Sequence, residues 1–523
     1  MLALKSIASS RIGRTLLQLG VAITSSLFAF FVPFRMPFIS EVLRHVRPQV
    51  IFQITSALGA ALVVVIVGYF LVLRLLSRKG ANSGNLAFSV GFFAVSGVLL
   101  GSVFGLNSGA FLQTTLEARE AFRSAHMSHR LSVETELTQE TRVSVRGAEF
   151  AVSKFDVAGS YHRLEVGDKA SGWLATVGED SFLLAQGDGV ILSGTLSFQG
   201  SIPNLRLESI PTNLGELLIP DVEKHGKAGL RGITYHEGFV VISATDQFVD
   251  RLGEPCWVTS LFIATYLTSH LDFKPLYRPS YCPRGHELEL LESGGGLIGL
   301  PYDLRSSSLE PPLILFASGD YRDRPAAQDP SSDVGAILEI SLANGSSQII
   351  AKGVRNPQGF AMVDDGTVWF TEQGPEGGDE INKLTTASSS SSELQNFGWP
   401  VSSYGTHYGD RLQPLSPLLK SHQDYGFIEP SYFWVPSIGP AGISINPFAD
   451  SRRGIVVASL GETPKEGDMS LLFLEPSDYS SDRLDLTDYL YMGERMRDVT
   501  ELRNCILALG DDGSLRLVEE QPK

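Results

Sequence analysis

The sequence predicts an all-β six-bladed propeller preceded by three transmembrane α-helices. Three observations predict it. Residues 1–112 hold three long charge-free apolar runs. After about residue 150, short β-branched runs punctuated by Gly, Asp and Asn recur at a period of about 60. Long amphipathic helical patterns between those runs are scarce.

The apolar segment comes first. The 20 residues between Arg14 and Arg35, the 26 between Arg47 and Arg74, and the 37 between Lys79 and Glu117 carry no charge. Each meets the roughly 20 residues needed to cross a bilayer core. The first is longer than a signal-peptide core, has no obvious cleavage site, and is followed by two more. We place the spans at about 15–34, 50–73 and 86–112, and read residues 1–112 as an integral membrane anchor. No acid or base lies within a span, which argues for an anchor over an ion pathway. Charge divides with the chain. Nine of the 42 basic and one of the 58 acidic residues lie in 1–112, a local net of +8. The remainder, with 33 bases and 57 acids, carries −24. So acidic a body repels phosphate backbones and argues against a nucleic-acid partner.

Residues 113–150 read as a polar connector able to supply a closing strand, and 151–523 as the propeller. The runs at 182–185, 239–243, 313–317, 367–371, 454–459 and 514–518 read as strands, several entered through tight turns such as 178–180, 364–366 and 511–513. Repetition of such units buries a core between neighbouring blades and leaves only short edges. Residues 251–290 break the rhythm and read as an insertion; 385–393 read as a solvated low-complexity loop. With three cysteines there is no disulfide scaffold. Cys256 and Cys282 are able to pair, leaving Cys505 over; such a pair needs an oxidising compartment, and spacing alone leaves it open.

From Gly353 the sequence becomes specific: GVRNPQGF, then DDGTVWFTEQGPEGGDEIN (364–382) and NFGWP (396–400). PSIGPAGI (436–443) and GERMRDV (493–499) follow, and ASGDYRDRPAAQD with GAILEI (317–340) precedes them. This ordered series resembles the glucose/sorbosone dehydrogenase family, clearly over about 290–518 and less so back to about 160. The resemblance implies a six-bladed propeller using pyrroloquinoline quinone (PQQ) and calcium to oxidise sugars. It implies that Arg355, Asn356, Arg495 and Arg497 hold the cofactor. Guanidinium suits PQQ's planar carboxylates. It implies calcium on the carbonyls of Gly374 and Pro375, and a second, structural calcium at Asp379 and Glu380, oxygen ligands being what a hard cation takes. Plainer readings stand beside these: 356–359 and 374–378 are good turns, and Arg495 and Arg497 alternate as on one strand face, where acids would pair with them.

One departure bears on activity. The family uses a His base in a His-x-Gly-Gly-Arg-Leu pattern, supported by an Asp in a later Gly-Asp. The aligned stretch here runs from Glu292 to Leu297, with Glu292 at the base position and Gly296 at the arginine; the supporting acid is retained as Asp320. A family lysine expected near 458–461 is not evident. Glu292 would serve as the base if burial beside Asp320 raised its proton affinity; His286 is an alternative after a local shift. Two functions therefore stand. One is a membrane-anchored PQQ- and calcium-dependent sugar dehydrogenase delivering electrons to a membrane acceptor. The other is a catalytically degenerate propeller acting as a binding or scaffold subunit of a membrane complex. In both, the chain is multi-pass in the cell membrane. Lys/Arg counts on the two faces are about equal, and the resemblance favours an extracytoplasmic propeller.

Overall fold

The computed structural model describes residues 128–521 except 146–147, 158–171, 219–228, 251–252, 284–291, 303–310, 364–365, 386–393, 409–415, 450–453, 462–466 and 479–481. The three predicted spans, residues 113–127, His286 and the turn at 364–365 lie outside the described residues. Among the described residues no helix is long and apolar enough to cross a membrane.

The chain opens with β1 (Ser132–Val133), β2 (Thr135–Val145) and β3 (Ala148–Val157). Five antiparallel sheets then follow in order. Blade 1 is β4 (Gly172–Gly178), β5 (Ser181–Gln186), β6 (Ile191–Gln199) and β7 (Ile202–Ser209), with β1 added at its edge. Blade 2 is β8 (Leu230–His236), β9 (Phe239–Val249), β10 (Pro255–Thr265) and β11 (Lys274–Tyr277). Blade 3 is β12 (Gly294–Leu300), β13 (Leu313–Ser318), β14 (Ala336–Ser341) and β15 (Ser347–Lys352), extended by a parallel β19 (Gln395–Asn396). Blade 4 is β16 (Pro357–Met362), β17 (Val368–Glu372), β18 (Asp379–Leu384) and β20 (Tyr432–Trp434). Blade 5 is β21 (Pro440–Ile445), β22 (Ile455–Ser459), β23 (Ser470–Pro476) and β24 (Leu484–Tyr491). Blade 6 joins both ends of the propeller: β25 (Met496–Leu502), β26 (Cys505–Gly510) and β27 (Leu515–Glu520) pair onward to β3 and then β2.

The first strand of each blade packs on that of the next, so β4, β8, β12, β16, β21 and β25 form a closed ring. They line an axial cavity of about 310 Å³ edged by Trp173, Tyr235, Ile298, Phe360 and Ile445. The core lies between blades. Phe182 and Leu183 of blade 1 share one cluster with Leu230 of blade 2 and Leu507 of blade 6; Ile381 of blade 4 shares another with Ile455 of blade 5. The strand runs read from the sequence at 182–185, 239–243, 313–317, 367–371 and 454–459 fall on second strands, which have neighbours on both sides and both faces covered.

Two expectations are corrected. The 113–150 connector supplies β1, β2 and the start of β3, so the propeller begins at Ser132. Outermost β2 is mostly exposed along its length, and an outer edge of this kind carries no apolar alternation to read. The supposed insertion at 251–290 holds β10 and β11, the third and fourth strands of blade 2. In β10, nine consecutive residues are buried, which removes the period of two. Cys256 on β10 is disulfide-bonded to Cys282 (Cα–Cα 5.5 Å), and Cys505 is a buried free thiol.

Ring closure has a polar clamp. Asp498 on β25 accepts from Leu174 N of β4 at 2.7 Å and from Val499 N at 2.9 Å. A Cβ at Gly442 on β21 would lie 1.9 Å from Asp498 Oδ1, so only glycine admits the carboxylate there. Burial pushes Asp498 from 3.8 up to about 7, with both N–H groups pulling the other way. Its folded-state value lies above its unfolded one, so folding favours the protonated form. That contribution is present below about pH 4 and is lost as pH rises through about 7. Urea midpoints of the native chain should fall between pH 5 and pH 8, and Asp498→Asn should flatten that slope. An unchanged slope in the variant would refute the assignment.

Candidate active site

In an antiparallel blade, the start of the first strand and the end of the second lie at the same end. That rule gathers residues far apart in sequence. Glu292, Arg355 and Arg495 immediately precede or closely approach β12, β16 and β25, and Arg231 sits at the start of β8. Asp320, Gly374 and Asp511 follow β13, β17 and β26.

Arg355 is the hub. Its Nη2 donates to Glu292 Oε1 at 2.5 Å, with side chains 6% and 10% exposed, and its Nη1 donates to the carbonyls of Gln373 and Gly374 at 2.7 Å each. Its backbone N donates to Glu372 Oε1 at 2.6 Å, and its carbonyl accepts from Asp320 N at 2.8 Å. Arg322 Nε stands 3.4 Å from the same Glu292 oxygen. Glu292 itself holds φ +57°, a left-handed conformation uncommon for a non-glycine residue. Gly319 makes room for it: a Cβ there would fall 2.0 Å from Glu292 O.

Asp320 is fully buried. Its Oδ2 accepts from Trp399 Nε1 at 2.6 Å and its Oδ1 from Arg322 N at 2.9 Å. Burial first and the Glu292 charge second push it up to about 8, against the pull of Arg355. At neutral pH Asp320 is therefore largely protonated. The Trp399 ring lies under the guanidinium groups of Arg324 and Arg355, 5.2 and 5.4 Å from its centroid.

Asn356 is saturated by the protein. Its Oδ1 accepts from Gly294 N (3.1 Å) and Gln358 Nε2 (2.9 Å), and its Nδ2 donates to Gln373 Oε1 (2.9 Å). Arg495 and Arg497 pair with opposite oxygens of Asp511, at 2.7 and 2.8 Å, as the acid-pairing reading anticipated. Arg231, which sequence reasoning missed, is near enough to Arg497 for repulsion to add to burial in lowering its value to about 10. Its signal was positional: a basic residue opening the first strand of a blade.

A glucose/sorbosone dehydrogenase family model matches residues 310–518. That match spans the second half of the six-bladed ring. Over that half the chain is similar to the glucose/sorbosone dehydrogenase family. The chain is 25% identical over 329 residues to aldose sugar dehydrogenase YliI of Escherichia coli, covering 58% of this chain and 80% of that protein. It is 33% identical over 150 residues to the uncharacterized protein slr1608 of Synechocystis, 26% of this chain and 33% of that one. The crystal structure of soluble aldose sugar dehydrogenase from Escherichia coli, in the apo form, aligns with 75% of this chain and all of that one at TM-score 0.50 and 19% identity, a likeness of fold.

The mouth fits an anionic polycarboxylate such as PQQ. Arg231, Arg322, Arg324, Arg355, Arg495 and Arg497 outnumber Glu292, Asp511 and the largely protonated Asp320. Arg355 Nε and Glu292 Oε2 are buried with no hydrogen-bond partner. Calcium fits less well where the resemblance put it. Gly374 O already accepts from a guanidinium, which would sit beside the ion, and Pro375 O accepts from Ser437 Oγ at 3.2 Å. Asp379 and Glu380 cannot act together, because successive strand residues face opposite ways. Asp379 accepts three backbone N–H groups, from Gly374, Ile438 and Gly439 at 2.8–2.9 Å, and burial pushes it up to about 6. Glu380 faces Glu372, its directly opposed cross-strand neighbour, and His422 Nε2 at 3.2 Å. Glu372 Oε2 and Asn382 Oδ1 are buried there without partners, so the oxygens suited to a hard cation are those of Glu372, Glu380 and Asn382.

Proposed function

We propose that the protein is a membrane-anchored, PQQ-dependent aldose dehydrogenase whose proton acceptor is Glu292. The observation that carries this is the convergence of Glu292, Asp320, Arg355 and Gly374 at the arginine-rich mouth. PQQ, when bound, supplies the two-electron acceptor for hydride from the sugar. Arg355, Arg497 and Arg231 would hold its carboxylates. Asn356 contributes indirectly, fixing Gln373 and the Gly294 backbone. The Glu292 carboxylate, paired with Arg355 and beside Arg322, would take the sugar hydroxyl proton. Asp320, holding its own proton, keeps a second negative charge from building up beside it.

A second reading has its own support. Glu292 occupies the guanidinium that would hold a ligand carboxylate, as expected of a propeller that keeps the fold and binds without turnover. The purified chain should be incubated with PQQ, with and without calcium, then given aldoses and an artificial electron acceptor. Turnover supports the dehydrogenase; PQQ binding without turnover supports the binding protein; no PQQ binding sinks both cofactor claims. An extracytoplasmic location is part of the proposal. The Cys256–Cys282 disulfide supports it, since such bonds persist in oxidising compartments; the three charge-free runs support the membrane anchor. The membrane would supply the electron acceptor or, in the second reading, the partner complex.

A further inference from the structure

Lys352 closes β15 and is 1% exposed, among the largest fully buried side chains. Its Nζ lies 2.9 Å from Ala326 O, 2.9 Å from Ser332 O and 2.7 Å from Val334 O. A lysine ammonium has three N–H donors and no acceptor, so each donor here meets one carbonyl. Burial lowers its pKa to about 8, while Asp329 and Asp333 act through space in the other direction, favouring the charged form. Three neutral oxygens around one buried positive charge is the arrangement of a small cation site, with the cation supplied by a side chain.

All three carbonyls belong to the 319–335 loop between β13 and β14. That loop also carries Asp320, Arg322 and Arg324. It has little regular structure to hold it. Its 3-10 turn, Arg324–Gln328, has no side-chain cap hydrogen bond. Other ties anchor it to its neighbours: Gly353 N to Ala327 O at 2.9 Å, Gln328 Nε2 to Trp399 O at 2.6 Å, Asp320 N to Arg355 O at 2.8 Å, and Asp333 accepting from Tyr277, Ser280 and Tyr281, while Gly335 N to Gly319 O at 2.9 Å closes its base. The ammonium bonds one carbonyl on the outgoing arm (Ala326) and two on the returning arm (Ser332, Val334), so it fixes the arms against each other.

We propose that the Lys352 ammonium is an internal cation that shapes the 319–335 loop, and so is a positioning residue for Asp320, Arg322 and Arg324 at the mouth. The effect on ligand binding rests on the reading of that mouth as a PQQ site; the effect on the loop does not. The charge is the active element, not the bulk of the stem.

Lys352→Met keeps the stem and removes the charge; Lys352→Ala removes both, and n-propylammonium supplies the deleted atoms. Backbone hydrogen exchange at Gly335 and Gly353 should speed up at least tenfold in both variants, while amides of β22 in blade 5 stay protected. PQQ affinity should fall at least fivefold. Added n-propylammonium should restore both properties to Lys352→Ala, and n-propanol neither. Unchanged exchange in Lys352→Met, or equal rescue by n-propanol, overturns the proposal. Should neither variant fold, ¹⁵N-lysine NMR of the unaltered protein decides: a charged, slowly exchanging Lys352 ammonium at pH 7 is expected, and a neutral amine overturns it. Failure of the unaltered protein to bind PQQ would sink the reading of the mouth, while the exchange measurements still judge the loop.

Discussion

Arg355→Met will destabilise the propeller by about 3–5 kcal/mol, the usual cost of removing one partner from a buried ion pair. The pair is Arg355 and Glu292, 2.5 Å apart and nearly enclosed. Without the guanidinium, Glu292's remaining ion-pair partner among the described residues is Arg322, which is 47% exposed and 3.4 Å away. The carbonyls of Gln373 and Gly374 lose their donor as well. Urea unfolding at pH 7 measures the effect. The double variant Arg355→Met/Glu292→Gln should recover a large part of the loss, because the unpaired charge is then gone, with a coupling of roughly 1–3 kcal/mol. A loss below about 1 kcal/mol in the single variant would show that Glu292 finds water or another partner, and the pair would no longer count as the hub of the mouth.

Glu292→Gln should act in two opposite directions. The amide keeps the size of the side chain and cannot neutralise Arg355, so the mouth gains one unit of positive charge. PQQ affinity should rise about tenfold, equivalent to about 1.4 kcal/mol. Turnover of an aldose by the PQQ-loaded chain should drop by about 10²–10⁴, the usual range for removing a general base. Titration of the apoprotein with PQQ reads the first and steady-state assay the second. Affinity that stays level or weakens removes Glu292 as the internal competitor for Arg355. Retained turnover removes it as the base.

Much of the fold was legible because second strands are the most apolar elements of a propeller. Those at 313–317, 367–371 and 454–459 are covered on both faces, and their Val, Ile and Phe content declares them. Two strands away from the second position were not legible. β2 is polar along its length, and β10 is buried without alternation, so one was read as a connector and the other as an insertion. At the site, Glu292, Asp320 and Arg355 were found in motifs and do meet. Asn356 was also found, but its amide is taken up within the protein. Asp379 was paired with Glu380 through the family resemblance; the residue facing Glu380 is Glu372, eight positions earlier and directly across the ladder. Trp399 lay inside a quoted motif, yet its contact with Asp320 is not visible from composition.

The sequence alone determined that a repeating β-architecture follows a strongly apolar segment, because periodicity and charge-free length are local properties of the chain. Through the family resemblance it also put forward residues for handling a proton and an anion. Which charges neutralise each other was decided only by the tertiary structure. Blade closure brings Glu292 against Arg355 and Asp511 between Arg495 and Arg497, across separations that no local pattern encodes. An ion pair's strength depends on distance and burial, and both are set by how the blades close around the axis.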